Sequence, residues 1–176
     1  AQPLILESYK KPYLTYTVNT LGTLNILETV RNNNTIKSLL CITSDKCYEN
    51  NNSTKGFKET DKLGGEDPYS GSKASAEIMI GTYQKSFFNE KKCGIASARA
   101  GNVIGGGDWS ANRLIPDTIN SIMKNKTIYI RNPNFNRPWQ HVIEPLYGYL
   151  ILAKKIYKEP KCYSGPWNFG TKKNTV

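Results

Sequence analysis

Residues 39–46 read Leu39-Leu40-Cys41-Ile42-Thr43-Ser44-Asp45-Lys46, an apolar run that ends in a hydroxyl, a carboxylate and an ammonium group. A short continuous apolar run suits a parallel strand buried on both faces better than an exposed antiparallel one. Open α/β sheets bind ligands beyond the carboxyl ends of their strands, so Ser44, Asp45 and Lys46 are candidate site groups.

The second informative stretch is Asp67-Pro68-Tyr69-Ser70-Gly71-Ser72-Lys73. Asp67 suits a helix N-cap and Pro68 the first helical position, which puts Tyr69 and Lys73 one turn apart on one face. A phenol titrates near pH 10, and lowering it by about three units takes roughly 4 kcal/mol of preferential stabilisation of the phenolate. An ammonium group one turn away supplies part of that. Tyr-x-x-x-Lys also recurs by chance, and its bland reading is a half-exposed tyrosine beside an ordinary lysine.

Outward from these stretches, residues 13–32 read as a helix with Leu14, Val18 and Leu21 on one face and Leu24, Ile26, Leu27 and Val30 spreading round its later turns. Residues 48–67 are polar and turn-rich, with Asn50-Asn51-Asn52-Ser53, Lys55-Gly56 and Gly64-Gly65, and form a loop. The helix from Pro68 runs on through Ala74 and Ile78 to Tyr83, Phe87 and Phe88 before Lys91 and Lys92. Gly94-Ile95-Ala96-Ser97-Ala98-Arg99 is a second candidate buried strand, and Gly101 with Gly105 to Gly107 suggests a flexible, phosphate-friendly loop or a plain glycine turn. A helix carrying Ile115, Ile119 and Ile122 follows, then a short strand over Thr127-Ile128-Tyr129-Ile130. Arg137 lies in a Pro-bounded loop with Trp139 and His141, and its fork suits a pyrophosphate as well as solvent. Val142, Leu146, Tyr149, Leu150, Ala153 and Ile156 mark an amphipathic helix, and Trp167-Asn168-Phe169 a last strand. Alternating strands and helices argue for an α/β fold with a parallel sheet.

At 176 residues with 38% hydrophobic and 22% charged content, the chain has the composition of an ordinary globular protein. No apolar run is long enough to span a membrane and no secretory signal pattern is present, so a cytoplasmic location is expected. The four cysteines, Cys41, Cys47, Cys93 and Cys162, lack paired metal spacing and read as reduced structural thiols, with no metal site. A net charge of +10 invites a nucleic-acid reading, but Lys and Arg are dispersed and never exceed two in succession. Part of the excess can attract an anionic substrate.

Three segments together, Ile42-Thr43-Ser44-Asp45-Lys46-Cys47-Tyr48, Pro68-Tyr69-Ser70-Gly71-Ser72-Lys73 and Arg99-Ala100-Gly101-Asn102-Val103-Ile104-Gly105-Gly106-Gly107-Asp108-Trp109, resemble the extended short-chain dehydrogenase/reductase family. The likeness continues in the family's order through Ala1-Gln2-Pro3-Leu4, Asn19-Thr20-Leu21-Gly22-Thr23, Arg137-Pro138-Trp139-Gln140-His141-Val142 and Trp167-Asn168-Phe169-Gly170. The resemblance implies part of a Rossmann-type, doubly wound parallel sheet with part of a smaller substrate-binding domain. Residues 1–108 would belong to the NAD-binding domain, and residues 109–176 to the sugar-nucleotide side interleaved with the last Rossmann helix and strand. The family's Gly-rich dinucleotide turn has no counterpart here. Ala1 is therefore expected to begin inside the fold, Val176 to stop before the substrate domain is complete, and the chain alone to be inactive and to bind NAD weakly.

The chemistry implied is dehydration of a nucleotide sugar with NAD. Tyr69 takes the proton of the sugar 4-hydroxyl, Lys73 tunes Tyr69, Ser44 holds the 4-oxygen, Asp45 protonates the departing 6-hydroxyl, and Asn19 helps position the lysine. Lys46 stands where dTDP-glucose dehydratases carry a glutamate base. It is similar to the branch acting on CDP-glucose, and either removes the C5 proton or only holds Asp45 or the substrate. Ala1, Tyr69, Lys73 and Arg99 are implied at the cofactor, and Asn102, Arg113 and Arg137 at the substrate. A homodimer or higher oligomer built on the Asn19 and Tyr69 helices is also implied. An epimerase or reductase would keep Tyr69 and Lys73 without needing the Asp45–Lys46 pair, and a non-catalytic assembly module is the reading from another class.

Overall fold

The computed structural model describes residues 1–50, 56–88, 93–134 and 137–171. Residues 51–55 of the expected polar loop, and Lys91 and Lys92 at the expected helix end, lie outside them.

A parallel three-stranded sheet in the order β1-β2-β5 is formed by β1 (Ser38–Ile42), β2 (Gly94–Ala100) and β5 (Gly165–Phe169). Helices α1 (Ile5–Lys10), α2 (Pro12–Tyr16) and α3 (Gly22–Asn32) precede β1, and α4 (Pro68–Tyr83) connects it to β2. After β2 come β3 (Asn102–Ile104), α5 (Leu114–Met123), β4 (Trp139–His141), α6 (Ile143–Lys158) and α7 (Pro160–Tyr163). Strands β3 and β4 pair in parallel as a separate two-stranded sheet.

Successive strand residues face opposite sides, and β2 shows the consequence. Ile95 packs with Leu27, Val30, Ile80, Phe88 and Cys93, so α3 and α4 cover one face of the sheet. Its neighbour Ala96 packs with Leu152 and Ile156 of α6 on the other face. Helices on both faces of a parallel sheet make the doubly wound, Rossmann-type α/β architecture expected from the alternating pattern. They also explain why β2 is built of small residues and buried along nearly its whole length.

At Gly94 the approach of α6 is close enough to exclude a side chain, since an added Cβ would lie 2.3 Å from the Ile156 carbonyl oxygen. Gly94→Ala is therefore expected to cost about 1–3 kcal/mol by forcing helix and strand apart. Urea unfolding reads this directly, and an unchanged midpoint would refute the close packing.

Four details depart from the sequence reading. Strand β1 is only half-buried and Ile42 is 49% exposed, because β2 is its sole strand partner among the described residues. The helix expected over residues 13–32 contains a π-helical segment, Thr17–Leu21, between α2 and α3. Residues 127–130 do not form a strand: Ile128, Tyr129 and Ile130 are exposed and extend no sheet. The glycine-rich stretch instead begins with β3, which recruits Trp139–His141 from the expected Arg137 loop as its partner.

Burial pushes the Cys41 and Cys47 thiols up to about 12, which fits structural rather than reactive cysteines, and all four cysteines are free. Among the described residues there is no group of three or more potential metal ligands and no helix long and apolar enough to cross a membrane.

Candidate active site

The carboxyl ends of β1 and β2 and the first turns of α4 enclose the candidate site. Beyond β1 the chain turns into a short 3-10 helix, Asp45–Cys47, capped by Ser44. The Ser44 hydroxyl accepts from the Lys46 amide at 3.2 Å and donates to Asp45 Oδ1 at 3.2 Å. Lys46 Nζ stands 3.8 Å from Asp45 Oδ2, a loose and partly exposed pair that adds little to stability.

Helix α4 begins as its sequence requires. Asp67 Oδ1 accepts from the Ser70 amide at 2.9 Å, and Pro68 occupies the first turn. Tyr69 follows, half-buried, with its amide donating to the Ser8 hydroxyl at 3.1 Å and its carbonyl accepting from the Ser72 hydroxyl at 2.7 Å. Ser8 and Ser72 are fully buried, so the backbone that carries Tyr69 is held from two sides.

Asn19 belongs to this support. It lies in the π-helical segment, 4% exposed, and its Nδ2 donates to the Ser72 hydroxyl and to the Gln2 carbonyl, each at 3.0 Å. The Gln2 amide returns a bond to Asn19 Oδ1 at 2.7 Å. Asn19 thus reaches the residue beside Lys73, and through Ser72 the turn that carries Tyr69.

The electrostatics differ from the simple Tyr–Lys picture. Burial pushes the Tyr69 phenol above its ordinary value, a hydrogen bond with the Ser44 side chain pulls it down, and the Asp45 carboxylate pushes it up again. Arg113 then lowers it and Asp67 raises it. Lys73 is 7% exposed, and burial holds its ammonium below the usual lysine range against the opposing charge of Glu77. The dominant favourable influences on the phenol are therefore a hydroxyl and an arginine, not the lysine one turn away.

Other expected site residues divide. Arg113 comes near enough to Tyr69 to act on it, while its NH1 donates to Asp108 Oδ2 at 2.9 Å. Asn102 opens β3 directly after Gly101, whose Cβ position lies 3.7 Å from Asp45 Oδ2, so this junction abuts the site. Ala1 and Arg137 are exposed. Arg99, expected at the cofactor, is 4% exposed and turned into the interior, where its NH2 pairs with Glu77 Oε2 at 2.7 Å and its NH1 donates to the Tyr48 hydroxyl at 2.7 Å.

Sequence reasoning passed over Glu77 and Ser72. The available signal was an acidic residue on the Tyr69–Lys73 face of a helix that otherwise buries small residues there. Such a charge needs a buried partner, and Arg99 on the small-residue strand is that partner.

The chain is similar to known proteins. The CDP-glucose 4,6-dehydratase of Salmonella typhimurium (strain LT2) is 49% identical over 175 residues, covering 97% of this chain and 49% of the relative. The dTDP-D-glucose 4,6-dehydratase of Dictyostelium discoideum is 30% identical over 148 residues, covering 78% of this chain and 33% of that protein. The chain therefore spans about half the length of the first relative and about a third of the second. Among solved structures, dTDP-glucose 4,6-dehydratase from Bacillus anthracis str. Ames in complex with NAD superposes with a TM-score of 0.73 at 25% identity, over 90% of this chain and 48% of that one. UDP-N-acetylglucosamine 4-epimerase from Methanobrevibacter ruminantium M1 superposes with a TM-score of 0.81 at 24% identity, over 98% and 53% of the two chains, a likeness of fold. The sequence pattern of the family described as GDP-mannose 4,6 dehydratase extends over residues 1–160, and the chain belongs to that family.

Proposed function

We propose that the chain carries the catalytic half of an NAD-dependent enzyme that dehydrates CDP-glucose to CDP-4-keto-6-deoxyglucose. The observation that carries this reading is the linked set at the β1 end, where the Tyr69 phenol, the Ser44 hydroxyl, the Asp45 carboxylate and the Lys46 ammonium stand in sequence. The 49% identical Salmonella relative supports the choice of CDP-glucose.

The donor set suits NAD. Lys73 is 7% exposed, yet its ammonium has no hydrogen bond to another described residue, which leaves its donors for the hydroxyls of a ribose. NAD, when bound, supplies the reversible acceptor for the hydrogen of the sugar C4. Tyr69 takes the proton of the sugar 4-hydroxyl, and Ser44 holds that oxygen. The resulting ketone acidifies the C5 proton, which Lys46 removes in its neutral amine form. Asp45, in its acid form, gives a proton to the 6-hydroxyl as its bond to C6 breaks, so the groups lost from C5 and C6 amount to one water; the hydride taken from C4 would then return to C6 and a proton to C5, which gives the 4-keto-6-deoxy sugar with no net oxidation. Arg113 and Asn102 adjoin this set as substrate ligands, with Arg137 for the pyrophosphate.

Residues 1–108 form the cofactor side in this reading, and residues 109–176 contribute to the sugar-nucleotide side. A homo-oligomer and a cytoplasmic location belong to the same reading.

The test is a chimera in which residues 1–176 replace the matching stretch of the Salmonella relative. Mass spectrometry should show loss of one water from CDP-glucose in the presence of NAD, faster than from dTDP-glucose or GDP-mannose. Unchanged CDP-glucose from a folded chimera that binds NAD would overturn the reaction. Faster turnover of another sugar nucleotide would overturn the substrate.

A further inference from the structure

The turn that carries Ser44, Asp45 and Lys46 is bracketed by the two members of one buried ion pair. Glu77 lies on α4 two turns after Tyr69 and one turn after Lys73, hence on their face. Ser97 and Arg99, two apart on β2, share a face of the sheet and both reach the same carboxylate oxygen: Ser97 Oγ donates to Glu77 Oε2 at 2.8 Å and Arg99 NH2 at 2.7 Å. The other oxygen, Oε1, accepts from the Thr43 hydroxyl in a short contact. The Thr43 amide also donates to the Ala98 carbonyl at 2.9 Å, continuing the β1–β2 ladder. Thr43 therefore ends the strand with both backbone and side chain tied, one residue before Ser44.

The far end of the turn is tied to the partner charge. Tyr48 follows the 3-10 helix Asp45–Cys47, its hydroxyl accepts from Arg99 NH1 at 2.7 Å, and the Arg99 guanidinium stands 5.0 Å from its ring centroid. Tyr48 in turn donates to Asn168 Oδ1 of β5 at 2.7 Å, and Phe57 stacks on its ring at 4.7 Å. Glu77 and Arg99 are 2% and 4% exposed at the side chain, so solvent fluctuation scarcely reaches the bracket.

A buried ion pair is weak evidence for stability, because burying two charges costs about as much as their attraction returns. What this pair does supply is geometry. We infer that Glu77 and Arg99, acting through Thr43 and Tyr48, are positioning residues that fix the catalytic turn carrying Ser44, Asp45 and Lys46 relative to helix α4 and its Tyr69. None of the four touches the reacting atoms in this assignment.

Removing one charge of the pair leaves the other buried and unpaired, and such variants fail to fold for reasons unrelated to the site. Thr43→Val is the cleaner probe. It keeps the side-chain shape and the ion pair and removes only the hydroxyl that reaches Glu77, while Thr43→Ser keeps that hydroxyl. The first readout is an ultraviolet phenol titration of the 176-residue chain, with the Tyr69→Phe counterpart subtracted to isolate Tyr69. The Ser44 bond pulls the Tyr69 midpoint down, and the charges of Asp45, Arg113 and Asp67 that also act on the phenol are the same in every variant. The midpoint is expected to rise in Thr43→Val and to stay at the parent value in Thr43→Ser.

The second readout, turnover of CDP-glucose in the chimera, rests on the proposed reaction. There Thr43→Val is expected to lower kcat roughly tenfold to a hundredfold, as misplacement of a reacting group does, with KM unchanged and Thr43→Ser active. Should Thr43→Val lower the melting temperature, Tyr48→Phe releases the other end of the bracket and carries the same two measurements. An unshifted Tyr69 midpoint in the folded variant, or a loss that falls on KM alone, overturns the inference. No turnover in the parent chimera overturns the proposed reaction instead, and the titration still decides the positioning.

Discussion

Tyr69→Phe is expected to slow the first oxidation of the bound sugar by about 10²–10⁴-fold, the range general base catalysis contributes, while CDP-glucose binding stays within a few-fold. The ring remains, so no cavity opens beside α4, and both bonds that hold this residue, its amide to the Ser8 hydroxyl and the Ser72 hydroxyl to its carbonyl, engage only the main chain of Tyr69. What is lost is the phenol oxygen proposed as the proton acceptor. The sign of the pH dependence follows from the shift: burial raises the phenol, so its deprotonated form grows as pH rises toward that elevated value. The parent chimera is expected to show an alkaline-rising limb in a single-turnover measurement of reduced-nicotinamide absorbance, and its Tyr69→Phe variant to lack it. Unimpaired reduction in Tyr69→Phe would reject Tyr69 as the base.

The local signals of the fold were legible because each rests on near neighbours. Asp67 and Pro68 announced the start of α4, and both act there as a cap and a first turn. The small residues of Gly94–Ala100 announced a strand enclosed on two faces, and the spacing of Val142, Leu146, Tyr149, Leu150, Ala153 and Ile156 announced α6, although Leu146 and Leu150 are exposed and the helix buries Leu152 with Ile156. Whatever depended on distant partners stayed hidden. Thr127-Ile128-Tyr129-Ile130 has strand composition, yet these residues join no sheet, and β3 pairs with Trp139–His141. The π-helical turn at Asn19 inserts one residue so that a polar side chain can reach Ser72, 53 residues away, and no helical periodicity encodes that.

The site shows the same division. Ser44, Asp45, Lys46 and Tyr69 came from two short motifs, and the fold brings them together. Family resemblance sent Arg99 toward the cofactor, whereas its side chain points inward to Glu77, 22 residues earlier in the chain. Tyr69 and Lys73 are neighbours in spacing, but burial acts on both and opposes the charged form of each, the phenolate and the ammonium alike. A spacing rule reads which groups are adjacent. It does not read how much water reaches them, and that decides which group tunes the other.

Lys46→Met is expected to permit the first oxidation and to lower exchange of the sugar C5 hydrogen with deuterated solvent by about 10²–10⁴-fold. Methionine keeps the length of the side chain without its charge. The Lys46 amide bond to Ser44 is a main-chain bond and survives, and the 3.8 Å pair with Asp45 is partly exposed and worth too little to alter the fold. A fall in exchange with an unchanged melting temperature therefore isolates a missing proton acceptor. Asp45→Asn is the complementary case, because it leaves Lys46 in place, so C5 exchange continues while loss of the 6-hydroxyl stalls. Lys46→Glu places an acidic base at the same position but changes the local charge by two units beside Asp45, and only partial recovery of exchange is expected. Normal exchange in Lys46→Met would show that this lysine holds Asp45 or the substrate and that the C5 proton leaves by another group.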